Sequence, residues 1–417
     1  MSTGAGVLGV SVGVRMRSEP LLMMRHAGRR LGIGLRSLLI SVPCVLAPAL
    51  GLLLGGLLAA VAVAFVSLNT VRAEEEFSFS TYYRGDTDST VVVTPRIGAN
   101  LKIGSATTVD ASYSADIWSS ASIDIRTAAT GRITEQRDQI TAAVTHEFLG
   151  WTLGASYYFS GENDYLSNGL TLFSTQSAAG GSATFEQSVS FLFDQVGRAG
   201  DPNFNENVAM GTGRLVYSQA LTPDAILQLA YEGSYRNGYQ ASPYRFVGFG
   251  GDGLCNGTAV FCLSESHPDT RFRNAAVIDS RIALSENTSL GLGYRFYIDS
   301  WGIMSHTGIL QAAWLVSDVT SLTLRYRFYT QGAAHFYQAR YLEADAELDY
   351  FTRDRENGGL YANRLAIGYE RLFDLDRIDA VLRMALAVGG TVLTYRDFVG
   401  LDEVYAIDTT LAFTLEL

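Results

Sequence analysis

Ser289-Leu290-Gly291-Leu292-Gly293-Tyr294-Arg295-Phe296-Tyr297-Ile298-Asp299 changes character at every residue. Leu290, Leu292, Tyr294, Phe296 and Ile298 fall on one face, and Gly291, Gly293, Arg295, Tyr297 and Asp299 fall on the other. A period of two is the repeat of a β-strand, whose side chains point alternately to opposite faces. In a soluble sandwich the apolar face would turn inward. A chain built of many such strands with almost no helix can instead close on itself with the apolar face outward in lipid.

Working outward from this stretch, candidate strands read at about 77–84, 90–103, 107–117, 137–148, 151–162, 165–177, 183–194, 208–220, 225–238, 271–284, 288–299, 303–315, 320–333, 360–373, 377–396 and 404–417. That makes about 16 strands, with a range of 14–18. Several repeat the two-faced pattern. Val109, Ala111, Tyr113, Ala115 and Ile117 alternate with Asp110, Ser112, Ser114 and Asp116, and Leu322, Leu324, Tyr326 and Phe328 alternate with Thr323, Arg325, Arg327 and Tyr329. A packed core could not hold these charges unpaired, whereas a wet lumen holds them at little cost. The expected fold is therefore all-β, a transmembrane antiparallel β-barrel preceded by a helical signal segment.

The connections support that choice. From the second strand onward they alternate between tight and long. The tight set is Gly104-Ser105-Ala106, Leu149-Gly150, Ala178 to Ser182, Leu221 to Asp224, Ser285 to Asn287, Val316 to Val319 and Asp374 to Asp376. The other set includes 118–136, 195–207, 239–270 and 334–359, although the connections near Asn163-Asp164 and Ser300-Trp301-Gly302 are short. Short turns on one rim and longer loops on the other mark bacterial outer-membrane barrels. An even strand number places both termini on the short-turn, periplasmic rim.

The N-terminal segment agrees with export. Arg15, Arg17, Arg25, Arg29, Arg30 and Arg36 precede an uncharged, mostly apolar run from Leu38 to Leu68, which closes on Val71-Arg72-Ala73 before Glu74-Glu75-Glu76. This is the layout of a secretory signal cleaved after Ala73, leaving a single barrel domain over residues 74–417. The run is also long enough to serve as an uncleaved anchor, and Met23 or Met24 would give a signal of more ordinary length. Beyond residue 73 no apolar run reaches transmembrane-helix length, so insertion must use strands.

Loss of residues 1–73 removes seven Arg and Glu19, so the remaining chain carries 24 basic and 41 acidic side chains, a formal charge of about −17. Such acidity argues against a nucleic-acid partner. Of the three cysteines, Cys255 and Cys262 remain, and in an oxidising compartment they read as one loop disulfide, with a two-Cys metal site as the weaker alternative. No cofactor motif is present, and the expected metal complement is none.

The C-terminal strand places Tyr405, Ile407, Thr409, Leu411, Phe413, Leu415 and Leu417 on one face. It is similar to the terminal strand read by the outer-membrane assembly machinery, but ends in Leu417 rather than an aromatic residue. Tyr294 to Thr307 (YRFYIDSWGIMSHT), Arg325 to Tyr337 (RYRFYTQGAAHFY), Ser242-Pro243-Tyr244-Arg245 and His267-Pro268-Asp269-Thr270-Arg271 resemble the predicted outer-membrane barrels of the DUF3570 family. Ala115 to Ser122 (ADIWSSAS) is also similar, with Ser120 where the family tends to carry Gly. The resemblance covers nearly all of the chain after residue 73. It implies a secreted barrel of unassigned activity, in contact with outer-membrane lipid, and the company of a periplasmic, redox-type partner.

The polar faces supply the candidate site. Arg271, Arg273, Asp279 and Arg281 share one strand, Arg295 and Asp299 the next, then come Arg325 and Arg327, then Arg364 and Glu370. Asp110, Asp116, Asp194 and Glu232 are expected on the other half. Opposed charges across a lumen set up a transverse field that sorts ions. The plain alternative is that these charges pair across strands and fill the interior. His267, His306 and His335 fall near the outer rim, with Asp269, Asp299 and Ser305 close in sequence. No G-x-S-x-G or H-E-x-x-H accompanies them. Two aromatic girdles are expected, Tyr82, Tyr83, Tyr235, Tyr239, Tyr297 and Trp301 at one end and Phe148, Trp151, Trp314 and Phe373 at the other. The function read from these residues is a porin-like, non-enzymatic channel in the Gram-negative outer membrane for small, anionic solutes. A plugged, partner-binding barrel is the first alternative and a rim-sited hydrolase the second. The sequence names neither the solute nor the oligomeric state.

Overall fold

In the computed structural model, which describes residues 75–120 and 133–417, the alternating segments become long antiparallel strands. The expected leader over 1–73 lies outside the described residues. The strands are β1 (Glu75–Asp86), β2 (Thr90–Ile103), β3 (Thr107–Ser120), β4 (Ile133–Phe148), β5 (Trp151–Gly161), β6 (Tyr165–Ala178), β7 (Ala183–Arg198), β8 (Asp201–Thr222) and β9 (Ala225–Gly238). After a short hairpin of β10 (Phe246–Phe249) and β11 (Phe261–Ser264) follow β12 (Thr270–Ser285), β13 (Thr288–Asp299), β14 (Met304–Ser317), β15 (Thr320–Gln331), β16 (Leu360–Leu375), β17 (Ala380–Tyr395) and β18 (Glu403–Glu416). All but β10 and β11 form one closed barrel, and β1 seals it by pairing with β18 from Glu76↔Glu416 to Asp86↔Ala406. Closure leaves no unpaired sheet edge.

The expected strands correspond to the sixteen barrel strands, three of them (90–103, 225–238 and 288–299) end for end. One expected loop, 195–207, is corrected. Its residues extend β7 and β8, and only Ala199-Gly200 turns between them, because Asp201 and Asn205 to Asn207 still pair with β7 across a register shift. At the short-turn rim the hairpins are stitched to their neighbours: Ala283 N donates to Asp224 O (2.7 Å), Leu315 N to Asn287 O (2.8 Å) and Leu372 N to Val319 O (2.9 Å). In Leu149-Gly150 both residues take positive φ (48° and 81°), as a two-residue hairpin with matching twist demands.

The alternation puts apolar side chains outside. On β13, Leu292, Tyr294 and Ile298 are 50%, 45% and 39% exposed, while Asp299 on the inner face is buried. The girdle expectation needs correction. Tyr83 and Tyr235 do point outward, but Tyr82 and Tyr297 share the inner face with Arg84 and Asp299, and Trp301 is buried against the connecting loops.

The two longest connections fold together at the other rim. β10 pairs with β11, Phe249 bridges Tyr341, Ser266 bridges Phe351, and Tyr337 bridges Thr352. Val247, Phe249, Tyr341 and Phe351 make a dry core for this cap, and Trp301, Ile303, Ala334 and Phe336 make a second beside it. Such burial is the dominant stabilising term for a loop pair with little regular structure. Cys255 and Cys262 are joined across the β10–β11 tip, with Cα atoms 5.9 Å apart. Closing so short a loop contributes about 2–3 kcal/mol. We expect reduction, or Cys255→Ser, to speed amide exchange within 246–264 while leaving barrel strands protected. Hydrogen exchange read by mass spectrometry checks this.

Candidate functional site: an arginine band on the barrel interior

Each strand contributes its inward charges at alternate positions, and the register decides which of them meet. β9 brings Arg236 opposite Arg271 of β12. Arg273 lies two residues further along, opposite Asp299 of β13 in register. Arg295 pairs with Thr307 of β14, which in turn faces Tyr329 of β15. Arg327 stands directly opposite Arg364 of β16. The result is a band of guanidinium groups running across β9, β12, β13, β15 and β16. Arg295 and Arg327 lie over the rings of Tyr297 and Tyr329, at 5.3 and 5.2 Å. Stacking of this kind holds a cation without neutralising it.

The candidate residues separate into two groups. Arg271 is spent on structure: its Nε and Nη2 donate to Asp299 Oδ2 at 2.9 and 2.5 Å, and its guanidinium sits 3.9 Å from the Trp301 ring. Asp299 also accepts from Tyr297 Oη (2.7 Å) and, through Oδ1, from Trp301 N and Ile303 N (both 3.0 Å). It anchors the β13–β14 turn. Arg364 is neutralised by Asp408 of β18 (3.1 and 2.5 Å), and Glu370 lies 3.7 Å from Arg383 of β17. In contrast, Arg273, Arg281, Arg295, Arg325 and Arg327 have no carboxylate oxygen within 4.0 Å among the described residues. The sequence did not single out Arg236, Arg383 or Asp408, whose roles depend on register.

Asp110 and Asp116 lie on the opposite wall, whereas Asp194 on β7 borders the basic band, 3.7 Å from Arg236. Asp116 accepts from Thr94 Oγ1 (2.6 Å) and Gln139 Nε2 (2.9 Å), and Asp194 from Ser167 Oγ (2.6 Å) and from Tyr165 Oη (2.5 Å). Asn100 Nδ2 donates to Asp110. Neutral donors satisfy Asp110 and Asp116, although Arg137 stands opposite Asp116 in register. The grouping of Glu232 with them is corrected: on β9 it faces Arg214 of β8 and borders the basic band. The fold also gathers Glu135, Glu162 and Asp164, with ligand atoms within 4.8 Å of one another, at the loop rim. Arg137 pairs with Glu162 there. This carboxylate cluster is where a cation would find oxygen ligands, and no sequence spacing announces it.

The cap crosses above this interior. Tyr244 donates to Asp164 in the β5–β6 turn and accepts from Ala199 N (2.5 Å). Its neighbour Arg245 pairs with Asp354 at 2.8 Å, and Arg355 pairs with Asp88 in the β1–β2 turn at 2.6 Å. In the strand order, each of these anchor points and loop roots is four strands from the next. Together they form a polar strap linking quarter points of the rim. Burial pushes the Tyr244 hydroxyl up to about 12, with the Asp164 bond adding to it, so Tyr244 stays a donor.

The histidines do not share a site. His306 lies on the outer face of β14, its Nδ1 2.7 Å from Tyr294 Oη, while Ser305 points to the inner face, as consecutive strand residues must. His335 Nδ1 is 2.7 Å from Trp301 O. His267 is buried between Trp301 and Phe336, its ring 5.3 Å from each.

Residues 203–374 match the family described as "Protein of unknown function (DUF3570)", which bears out the resemblance over that span; Ala115 to Ser122 lies outside it. No curated protein matches. Among solved structures, a bacterial polysaccharide outer membrane secretin aligns at TM-score 0.47 and 9% identity, covering 84% of this chain and 100% of that one. OprD of Pseudomonas aeruginosa aligns at TM-score 0.42 and 8% identity, over 83% of this chain and 96% of that one. The toluene transporter TodX of Pseudomonas putida aligns at TM-score 0.37 and 10% identity, over 84% and 91%.

Proposed function

Starting from a sixteen-stranded barrel whose residues 203–374 are of the DUF3570 family, we propose an outer-membrane channel that favours small anionic solutes. The outward apolar faces suit lipid, and no helix among the described residues is long and apolar enough to cross a membrane. The observation that supports the selectivity is the unpaired part of the band, Arg273, Arg281, Arg295, Arg325 and Arg327, none of which has a carboxylate oxygen within 4.0 Å among the described residues. Rings of like charge set ion preference at close range.

The test is electrical. Protein purified from outer membranes of an expression host and inserted in planar bilayers should show discrete conductance steps. Under a KCl gradient its reversal potential should have the sign of chloride preference. Replacing Arg325 and Arg327 together by Ala should lower the anion-to-cation permeability ratio severalfold. Absence of steps, or a ratio unmoved by the double substitution, would refute the selective channel.

A second reading has a specific observation behind it. The strap from Asp164 through Tyr244, Arg245 and Asp354 to Arg355 and Asp88 suits a barrel kept capped, whose work is to hold a periplasmic or surface partner. Co-purification of one stoichiometric partner with a silent barrel would favour it. A rim-sited hydrolase has no such support, since His306 and Ser305 face opposite sides of β14.

A further inference from the structure

We infer that Arg236 and Arg273, with Arg271 beside them, form a discrete binding site for a small oxyanion, a carboxylate above all. This deepens the anion-channel reading and rests on it. The wall of a channel needs only charge, whereas these two residues each leave a shielded Nε donor without a partner.

Both Nε atoms, of Arg236 and of Arg273, are shielded from solvent and have no hydrogen-bond partner. A buried donor left unmade is costly, and for a charged group more so. The neighbourhood does not supply the missing charge. Three guanidinium groups, Arg236, Arg271 and Arg273, share two carboxylates, Asp194 and Asp299. Asp299 is fully engaged by Arg271, Tyr297 and the β13–β14 turn amides. Asp194 lies 3.7 Å from Arg236 and also accepts from Tyr165 and Ser167. The count leaves one positive charge in surplus, and half-buried Arg273 is the guanidinium with no carboxylate oxygen within 4.0 Å among the described residues.

Register brings the two side chains close together on one wall. Arg236 faces Arg271 directly and Arg273 faces Ser234, all on the inner side of adjacent strands β9 and β12. They lie just below the strand ends Gly238 and Thr270, beneath the cap. Two guanidinium forks match the flat, two-oxygen edge of a carboxylate, which chloride cannot reproduce. A surplus of one positive charge suits a singly charged head group. Trp301, stacked on Arg271 at 3.9 Å, fixes the third guanidinium so that it adds field without needing to move.

The experiment is a calorimetric titration of the purified full-length protein in detergent with sodium acetate and, separately, sodium phosphate, at constant ionic strength set by chloride. Acetate is expected to saturate one site, with phosphate competing for it. Arg273→Gln and Arg236→Gln should each weaken acetate binding at least tenfold. Arg273→Lys, which keeps the charge but loses the fork, should fold normally and still lose severalfold, more for acetate than for phosphate. Arg96→Gln, on the far side of the lumen, removes the same charge from elsewhere and should change binding less than twofold. No saturable heat for either oxyanion, or equal losses in Arg96→Gln and Arg273→Gln, would overturn the site. Because binding is read without a membrane, a silent bilayer refutes the channel and leaves this result standing on its own.

Discussion

Asp299→Ala is expected to destabilise the loop-side rim by about 3–5 kcal/mol, the usual result of removing one partner of a buried ion pair. The side chain is fully enclosed and that of Arg271 nearly so. Its two oxygens collect the Arg271 fork, the Tyr297 hydroxyl and the amides of Trp301 and Ile303. Alanine would leave the guanidinium buried and unpaired, and would release the turn that seats Trp301 in its cluster with Ile303, Ala334 and Phe336. Asp299→Asn keeps one acceptor for the turn amides and should cost roughly half as much. Urea titration followed by the heat-dependent gel mobility of the barrel measures both. A loss below about 1 kcal/mol for the alanine variant would show that water reaches this site and screens it. The same residue was expected to line the lumen and tune passage. The geometry gives it a positioning task instead, and in the proposed channel selectivity would rest on Arg295, Arg325 and Arg327, which pair with no carboxylate among the described residues.

That division shows where sequence reasoning reaches its limit. Strand identity is local: a two-residue period in Ser289 to Asp299, with no helix-like stretch to compete, fixes both the element and its faces. Strands therefore emerged close to their observed ends wherever polar loops differed from polar strand faces. They failed at Asp201 to Asn207, where a run of Asp, Asn and Glu looks like a loop and yet pairs in part with β7. Pairing is not local. Whether Arg364 is free or neutralised depends on Asp408, two strands away across β17, and nothing in the intervening sequence encodes that contact. The cap is the extreme case. Its core joins Val247 and Phe249 to Tyr341 and Phe351, nearly a hundred residues on, through strands of four residues in a glycine-rich loop. A glycine count signals turns and cannot reveal a partner.

Glu265 should control how firmly that cap is held, and acid should loosen it. The carboxylate joins the two loops: Oε1 accepts from Ser242 N (2.6 Å), Oε2 accepts from Thr352 Oγ1 (2.8 Å), and Arg245 lies 3.4 Å away. His267 Nε2 is 3.5 Å from Oε2. Burial alone would raise the Glu265 pKa. Arg245, His267 and the Ser242 amide outweigh it and hold the carboxyl well below the usual carboxylate range. The sign then follows from linkage. A pKa depressed on folding contributes stability that is complete above the unfolded value of about 4.3 and is lost as pH falls through the folded value. Asp354 shares Arg245 with Glu265, and His267 faces the same carboxylate. Loosening is therefore expected below about pH 4, not in the neutral range. Glu265→Gln should remove about 3 kcal/mol from the cap at pH 7, the size of a broken buried ion pair. It should also flatten the acid dependence. Amides in 246–264 and 341–352 should exchange at least tenfold faster in this variant, while β13 and β15 stay protected. If the channel reading holds, bilayer conductance should rise together with that exchange, since the strap from Asp164 to Asp88 runs through Arg245. Exchange that quickens equally in strands and cap would mean that Glu265 supports the whole barrel rather than its cover.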